Sequence, residues 1–136
     1  MTAMQDALTP PFSGHCLCGA VSYRCDALPL WQVNCHCESC RRATSSPMTA
    51  FLAVADGHWR WTGVEPASFA SSPDVTRLFC PRCGSPMAYR NARECPDEMH
   101  FYAASLDDPA RFHPTAHDFL DERLPWLHLS DGLPAA

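Results

Sequence analysis

The stretch Cys80-Pro81-Arg82-Cys83-Gly84 contains the most specific local signal in the sequence, two cysteines separated by two residues within a tight turn. Such a turn points backbone N–H groups at the first sulfur, and a glycine suits the left-handed position that ends it. A redox-active dithiol is the alternative, but that motif usually begins a helix. Here a strand-like segment precedes the first cysteine and a proline follows it. We therefore predict a metal-binding turn.

Upstream of this turn, Cys16-Leu17-Cys18 places two more cysteines close together. Each of the two pairs is two ligands short of the four that a structural zinc ion takes, and each therefore completes the other. Short spacing within a pair allows both thiolates to enter one tetrahedron of bonds of about 2.3 Å. We predict one structural zinc site formed by Cys16, Cys18, Cys80 and Cys83.

A third group, Cys35-His36-Cys37-Glu38-Ser39-Cys40, supplies three thiols within six residues. Three ligands leave one position of a tetrahedral zinc ion open, and an open position is what catalytic zinc sites have. We predict that Cys35, Cys37 and Cys40, hereafter the trio, hold a second, catalytic zinc ion. An iron–sulfur cluster is an alternative, but it would need a fourth protein ligand.

Other side chains near the trio have alternative interpretations. His36 could be a fourth ligand, but a residue between two ligating cysteines tends to point away from their metal, so a surface position or a supporting role is favoured. Glu38 is interpreted in the same way, as solvent-facing or as a supporting partner. Cys25 is predicted to be a small core residue and Cys95 a loop thiol, although either could approach the open zinc position.

Composition restricts the class of protein. The length of 136 residues indicates one domain, and the net charge of −5 gives no support to nucleic-acid binding. No apolar run approaches the roughly 20 residues that cross a bilayer, so no membrane span is expected. The first residues lack a basic segment followed by an apolar one, so we expect no secretory signal and a cytoplasmic location. Grouped cysteines then indicate metal ligands, with disulfides as the alternative for a secreted form.

The pattern of apolar residues predicts a mainly β protein. Residues 1–12 are expected to be a mobile tail and residues 13–136 a single domain. Val21, Tyr23 and Cys25 alternate with polar residues, and a turn at 26–29 predicts a hairpin with the alternating segment 31–35. Further strands are expected at 48–55, 59–61, 75–80, 87–90 and 99–106. Short helical turns are expected after Cys40 and around 115–120.

Taken in order, the motifs resemble the glutathione-dependent formaldehyde-activating enzyme family from Ser13 to Pro134. The matching segments are Gly14-His15-Cys16-Leu17-Cys18-Gly19-Ala20-Val21, Cys35-His36-Cys37-Glu38-Ser39-Cys40-Arg41, Arg77-Leu78-Phe79-Cys80-Pro81-Arg82-Cys83-Gly84-Ser85-Pro86, Ala104-Ser105-Leu106-Asp107-Asp108-Pro109, Pro125-Trp126 and Asp131-Gly132-Leu133-Pro134. One departure is Thr44-Ser45-Ser46, where the family often has Thr-Gly. If that glycine allows a close backbone approach, thiol binding would differ in this chain.

The resemblance implies a β-tent fold of small antiparallel sheets stapled by zinc. It also implies a structural zinc on the two cysteine pairs, a catalytic zinc on the trio, and carbon–sulfur lyase activity. The implied substrates are a low-molecular-weight thiol such as glutathione and formaldehyde or another small aldehyde, joined as S-hydroxymethylglutathione.

The chemistry of the trio agrees with that reaction. Three thiolates on Zn²⁺ sum to a charge of −1, and the metal lowers the pKa of an incoming thiol that fills the open position. Arg41 and Arg42 could bind a carboxylate of glutathione, with solvated surface arginines as the alternative. A non-enzymatic zinc-stabilised module that carries a thiol or binds a protein is the competing function. The third cysteine of the trio argues against that module, since a single structural zinc does not need it.

Overall fold

Ten strands and one α-helix make up the regular structure of residues 6–136, the part of the chain that this computed structural model describes. The strands are β1 (Phe12–His15), β2 (Ser22–Cys25), β3 (Trp31–Cys35), β4 (Thr49–Ala55), β5 (Trp59–Trp61), β6 (Ala67–Ser72), β7 (Val75–Phe79), β8 (Pro86–Asn91), β9 (Glu98–Tyr102) and β10 (Ala116–Asp118). The helix α1 covers Glu38–Thr44, and 3₁₀ turns lie at Ala103–Ser105, Pro109–Arg111 and Leu120–Glu122. The prediction of a mainly β protein is confirmed.

The strands form two sheets. The small sheet has the order β1-β2-β5, and the large sheet has the order β10-β3-β4-β9-β8-β7-β6. All pairings are antiparallel except that of β10 with β3, which is parallel. The small sheet agrees with the β-tent expectation, whereas the large sheet is wider than expected.

The main core lies between the small sheet and one face of the large sheet. Val21, Tyr23 and Cys25 are fully buried there, which confirms the predicted alternation in this segment. Tyr23 stacks on Phe101 of β9 with ring centroids 4.2 Å apart. Burial raises the pKa of the Cys25 thiol to about 12, so Cys25 is a neutral core side chain, as predicted.

The packed part of the chain begins before residue 13. Leu8 and Phe12 are 4 % and 9 % exposed and belong to the main core, and β1 begins at Phe12. Burial of these two apolar side chains in the main core stabilises their place in the fold. The mobile tail was predicted over residues 1–12, and residues 1–5 of that range lie outside the described residues.

The hairpin predicted between residues 18–25 and 31–35 is wrong. β2 pairs with β1 and β5 in the small sheet, whereas β3 pairs with β4 and β10 in the large sheet. Residues 26–30 therefore connect the two sheets. Alternation identifies a half-buried strand but not its partner, because many strands share the same two-residue period.

The helical turns were predicted only approximately. α1 begins at Glu38, ahead of Cys40, and the segment around 115–120 contains the strand β10. The three residues of β10 are too few to show the two-residue alternation that predicts a strand. β10 forms because Ala116, His117 and Asp118 pair with Val33, Asn34 and Cys35 of β3, a contact distant in sequence.

The departure at Thr44-Ser45-Ser46 has a structural meaning. Ser45 ends α1 in the left-handed conformation, with φ 55° and ψ 33°. This position favours glycine, because a Cβ atom is crowded there. A glycine in related sequences would satisfy the same helix end without strain.

We therefore expect Ser45→Gly to stabilise the protein by about 0.5–1 kcal/mol, since glycine removes the steric cost at a left-handed helix end. Chemical denaturation of both proteins measures this difference. The comparison is valid when the unfolding free energy depends on denaturant concentration with the same slope in both. Ser45→Ala is the control, because it removes the hydroxyl but keeps the Cβ atom, and it should not stabilise. A stability for Ser45→Gly at or below that of wild type would contradict the strain argument.

Candidate metal centres

The four-cysteine cluster lies where the two sheets meet at one end. Cys16 and Cys18 follow β1, and Cys80 and Cys83 follow β7, so the cluster joins a strand of each sheet. All four sulfurs lie within 4.8 Å of one another. Cys16 Sγ lies 3.6 Å from Cys18 Sγ, and Cys18 Sγ lies 3.7 Å from Cys80 Sγ. The edge of a tetrahedron with Zn–S bonds of about 2.3 Å is about 3.8 Å, so this cluster could hold a zinc ion.

Backbone N–H groups are directed at these sulfurs. Arg82 N and Cys83 N donate to Cys80 Sγ at 3.3 and 3.4 Å, and Val21 N donates to Cys16 Sγ at 3.3 Å. Gly84 ends the turn with φ +78°. Hydrogen bonds to the charged form favour thiolate over thiol. The hydroxyl of Ser85 and further hydrogen bonds lower the pKa of Cys83 to about 5. These donors stabilise the charged form that binds metal.

The trio is assembled by the end of β3 and the start of α1. Cys35 is the last residue of β3, Cys37 caps the helix, and Cys40 lies in its first turn. The Cys37 sulfur accepts a hydrogen bond from Cys40 N at 3.4 Å. All three sulfurs lie within 4.8 Å of one another. The local fold therefore brings the predicted trio together, and no fourth cysteine joins the group within residues 6–136.

The three thiols compete for one negative charge. Hydrogen bonds from Cys35 and then Cys40 lower the pKa of Cys37 to about 2. Hydrogen bonding to Cys37 and Cys40 and burial raise the pKa of Cys35. Like charges this close oppose ionisation of a second and third thiol. Holding all three as thiolates therefore requires a cation between them, and a zinc ion would supply it.

Arg77 is a member of this site that the sequence did not reveal. Its Nη1 and Nη2 atoms lie 3.7 and 3.8 Å from Cys40 Sγ, and Nη1 donates to the Tyr102 hydroxyl at 3.3 Å. The guanidinium also lies over the ring of Tyr89, 5.0 Å from its centroid. A fixed positive charge on the strand β7 thus faces the Cys40 sulfur. Arg77 and Cys40 are 37 positions apart in the sequence, and no sequence pattern signals this contact.

One wall of the site is apolar. Cys35 and Cys40 are buried in a second core cluster with Phe51 and Tyr102, on the face of the large sheet away from the small sheet. Trp31, Cys37 and Tyr89 pack against this cluster. Aromatic side chains keep water from that side of the sulfurs, and charge interactions are stronger where water is excluded.

His36 is not part of the trio. It is fully buried, and its Nε2 lies 2.9 Å from His117 Nδ1. The other ring nitrogen of His117, Nε2, lies 2.8 Å from Asp131 Oδ2. The non-ligand role favoured from the sequence agrees with this position, but a surface location is wrong. His117 and Asp131 were not identified from the sequence, because β10 and the C-terminal segment reach His36 only in the folded chain.

The remaining alternatives for a fourth ligand lie elsewhere. Glu38 has a side chain that is 60 % exposed and faces Arg42, as favoured from the sequence. Cys25 lies in the main core and Cys95 lies near Glu98 and His100. Within residues 6–136, the sulfurs of the trio therefore form their own group.

The two arginines after the trio have different surroundings. Arg41 donates from Nε to His36 O at 3.2 Å and from Nη2 to Glu122 O at 3.4 Å. Arg42 lies 3.7 Å from Glu38, with its side chain 79 % exposed. Both line a groove of about 420 Å³ together with Trp126. Arg41 mainly ties α1 to the C-terminal segment, whereas Arg42 is free to exchange its partner.

A larger cavity of about 570 Å³ lies between the two cysteine clusters. Cys16 from the first cluster and Tyr102 from the wall of the trio both line it, as does Thr44 at the end of α1. Its volume lies in the range of small-molecule sites. The trio sulfurs are not part of its lining, so it adjoins the site rather than enclosing the reactive atoms.

Known proteins resemble this chain in sequence and fold. An uncharacterized lyase of Schizosaccharomyces pombe is 33 % identical over 86 residues, which is 62 % of this chain and 62 % of that protein. A crystal structure of a Rhodobacter sphaeroides protein matches with a TM-score of 0.59 at 21 % identity, covering 70 % of this chain and 87 % of the other, which supports the fold alone. Among residues 6–136, no helix is both long and apolar enough to cross a bilayer.

The family comparison covers most of the chain. Residues 11–122 match the family described as glutathione-dependent formaldehyde-activating enzyme. This range includes both cysteine pairs, the trio and Arg77. The chain belongs to the glutathione-dependent formaldehyde-activating enzyme family.

Proposed function

We propose that this protein is a zinc-dependent carbon–sulfur lyase that acts on the adduct of a low-molecular-weight thiol with formaldehyde or another small aldehyde. The observation that carries the proposal is the trio: three converging cysteines that face Arg77 and an aromatic wall, with no fourth metal-binding side chain in their group in the described part of the chain. The four-cysteine cluster would hold a structural zinc ion and the trio a catalytic one. The family and the lyase-named relative support the reaction class.

A zinc ion held by the trio would supply the positive charge that keeps a substrate thiol deprotonated at neutral pH. In the forward direction, the thiol sulfur forms a bond to the aldehyde carbon, and the carbonyl electron pair moves to oxygen. That oxygen takes up the proton that the thiol released. In the reverse direction the hydroxyl oxygen loses its proton and its electron pair re-forms the carbonyl bond. The carbon–sulfur bond then breaks, and the sulfur keeps the bonding pair and takes up the proton when it leaves as a thiol.

The protein's own residues would orient this reaction. Arg77 holds Cys40 in position and offsets negative charge at the sulfurs, while Phe51 and Tyr102 exclude water from one side. Arg42, in the groove beside Trp126, is the residue we propose for a substrate carboxylate. An exposed ion pair such as Arg42 with Glu38 contributes at most about 1 kcal/mol, so a substrate can replace it.

The test measures exchange between glutathione, formaldehyde and the hemithioacetal, which also occurs without enzyme. Wild type should accelerate this exchange above the background. Arg77→Met should lower kcat by roughly 10- to 100-fold, because hydrogen bonds to charged groups contribute about 1.5–3 kcal/mol. Zinc content should stay the same.

Arg77→Lys is the matched control, since it keeps the charge but loses the paired N–H contacts and the stacking on Tyr89. The kcat of Arg77→Lys should lie between those of wild type and Arg77→Met. Background rates with wild type, despite thiol binding, would favour a thiol carrier instead of an enzyme. Acceleration with another thiol but not glutathione would keep the reaction class and change the substrate.

A further inference from the structure

Three side chains of types that bind zinc converge on β9, apart from both cysteine clusters. The Cys95 sulfur, a carboxylate oxygen of Glu98 and a ring nitrogen of His100 all lie within 4.8 Å of one another. Ligands on one tetrahedral zinc ion are separated by about 3.3–3.8 Å, given bonds of about 2.0–2.3 Å. The group is therefore compact enough for a single ion after small movements of the side chains.

The local fold explains why these residues meet. Glu98 and His100 are two residues apart on β9, so their side chains lie on the same face of the sheet. The preceding turn is held by Asn91, whose O accepts from Cys95 N at 2.9 Å. The Asn91 side chain accepts from Arg93 N and Glu94 N at 3.2 and 3.0 Å. This turn returns Cys95 to the strand.

Surrounding aromatic residues hold the side chains of His100 and Glu98 in place. His100 is 7 % exposed, with its ring centroid 4.5 Å from Trp31 and 5.6 Å from Tyr89. Glu98 Oε1 lies 2.8 Å from His100 Nε2 and accepts from Trp31 Nε1 at 3.3 Å. Fixed ligands lose little conformational freedom on binding, and the Trp31 N–H that donates to the carboxylate matches the support that metal ligands usually have. A metal ion would replace the proton shared by His100 Nε2 and Glu98 Oε1, and that proton would be released to water.

We propose that Cys95, Glu98 and His100 form a third cation site, for a divalent metal of the zinc class. A thiolate and a carboxylate together carry two negative charges, so with a neutral imidazole they balance a divalent ion. Mixed sulfur, nitrogen and oxygen donors suit zinc better than calcium or magnesium, which take oxygen ligands. Cys95 and Glu98 are partly exposed, which leaves room for a water molecule as fourth ligand.

This site is separate from the trio. His100 pairs with Ala53 of β4 and Cys35 pairs with Thr49 of the same strand. Four residues along a strand span about 13 Å, and Phe51 lies between the two groups on this face. The proposal therefore stands independently of the function proposed for the trio.

The experiment loads purified protein with excess Zn²⁺, removes free metal and counts zinc per chain by mass spectrometry. Wild type should retain one more equivalent than Cys95→Ser and than His100→Gln. Glu94→Gln is the matched control, because it removes a neighbouring negative charge outside the group, and it should retain the wild-type count. Cys95 is partly exposed, so its replacement by serine should leave the fold intact even if His100→Gln does not.

The site is assigned from the difference in zinc per chain between wild type and Cys95→Ser. Partial loading of the trio would lower the zinc count of both proteins equally and would leave this difference unchanged. Competition with a chromophoric chelator should show at least a 10-fold weaker affinity for the last equivalent in Cys95→Ser. Equal zinc counts and equal affinities in wild type and Cys95→Ser would overturn the proposal. Loss of the additional zinc ion in Glu94→Gln as well would also overturn the proposal. Zinc retention would then depend on the overall negative charge of this surface and not on the three proposed ligands.

Discussion

Cys80→Ser is expected to abolish soluble folded protein. Cys80 is 1 % exposed, its sulfur accepts two backbone N–H groups, and its cluster joins strands of both sheets. A structural zinc ion supplies on the order of 10–16 kcal/mol of apparent binding free energy, whereas net stabilities are only about 5–15 kcal/mol. Losing that ion therefore removes as much free energy as the whole fold has. Far-ultraviolet circular dichroism, size-exclusion chromatography and zinc content of the purified protein measure the outcome.

The control for this experiment is Cys25→Ala. Cys25 is also buried in the main core but belongs to neither cysteine cluster. Its replacement should cost about 1–2 kcal/mol, as ordinary core substitutions do, and the protein should stay folded with full zinc. A folded Cys80→Ser protein with unchanged zinc content would show that the four-cysteine cluster is not a structural metal site.

Cys40→Ser is expected to separate activity from folding. The trio lies on the face of the large sheet away from the main core, and its three sulfurs come from one short segment at β3 and α1. Removing one of three ligands should release one zinc equivalent and reduce thiol–aldehyde exchange to the background rate. The cost in stability should be about 1–2 kcal/mol. Zinc analysis, thermal unfolding and exchange kinetics at equal protein concentration measure the three quantities.

The matched comparison for Cys40→Ser is Ala43→Ser, one turn further along α1. Ala43 is exposed and contributes no ligand atom to the trio, so its replacement should leave metal content unchanged. Full exchange activity in Cys40→Ser would remove the trio from the mechanism. Global unfolding of Cys40→Ser would instead assign the trio a structural role.

Cysteine spacing predicted the clusters well because it is a local property. Cys80 and Cys83 share one turn, Cys35, Cys37 and Cys40 share a strand end and a helix start, and the structure brings each group together. The joining of Cys16 and Cys18 to the Cys80 turn was inferred from incomplete ligand sets, and the fold places all four within one cluster. The buried face of Val21, Tyr23 and Cys25 followed from alternation for the same local reason.

Features that depend on strand partners could not be obtained in this way. Alternation in β2 and β3 suggested a hairpin, yet the strands lie in different sheets, because pairing depends on which distant surfaces bury the most apolar area. β10 has only three residues and exists through its contact with β3. Its position brings His117 to His36, and it explains why this histidine has a buried supporting position rather than the surface position that the sequence also allowed.

The sequence by itself determined the mainly β class, the three cysteine groups and the family, since each is encoded in short spacings or in ordered motifs. The tertiary structure alone decided that Arg77 faces Cys40 and that Arg41 binds backbone carbonyls while Arg42 faces solvent. It also decided that Cys95 lies beside Glu98 and His100. The physical reason is that charge and hydrogen-bond interactions act over a few ångströms in space, and the approach of residues distant in the chain is set by the packing of the two sheets.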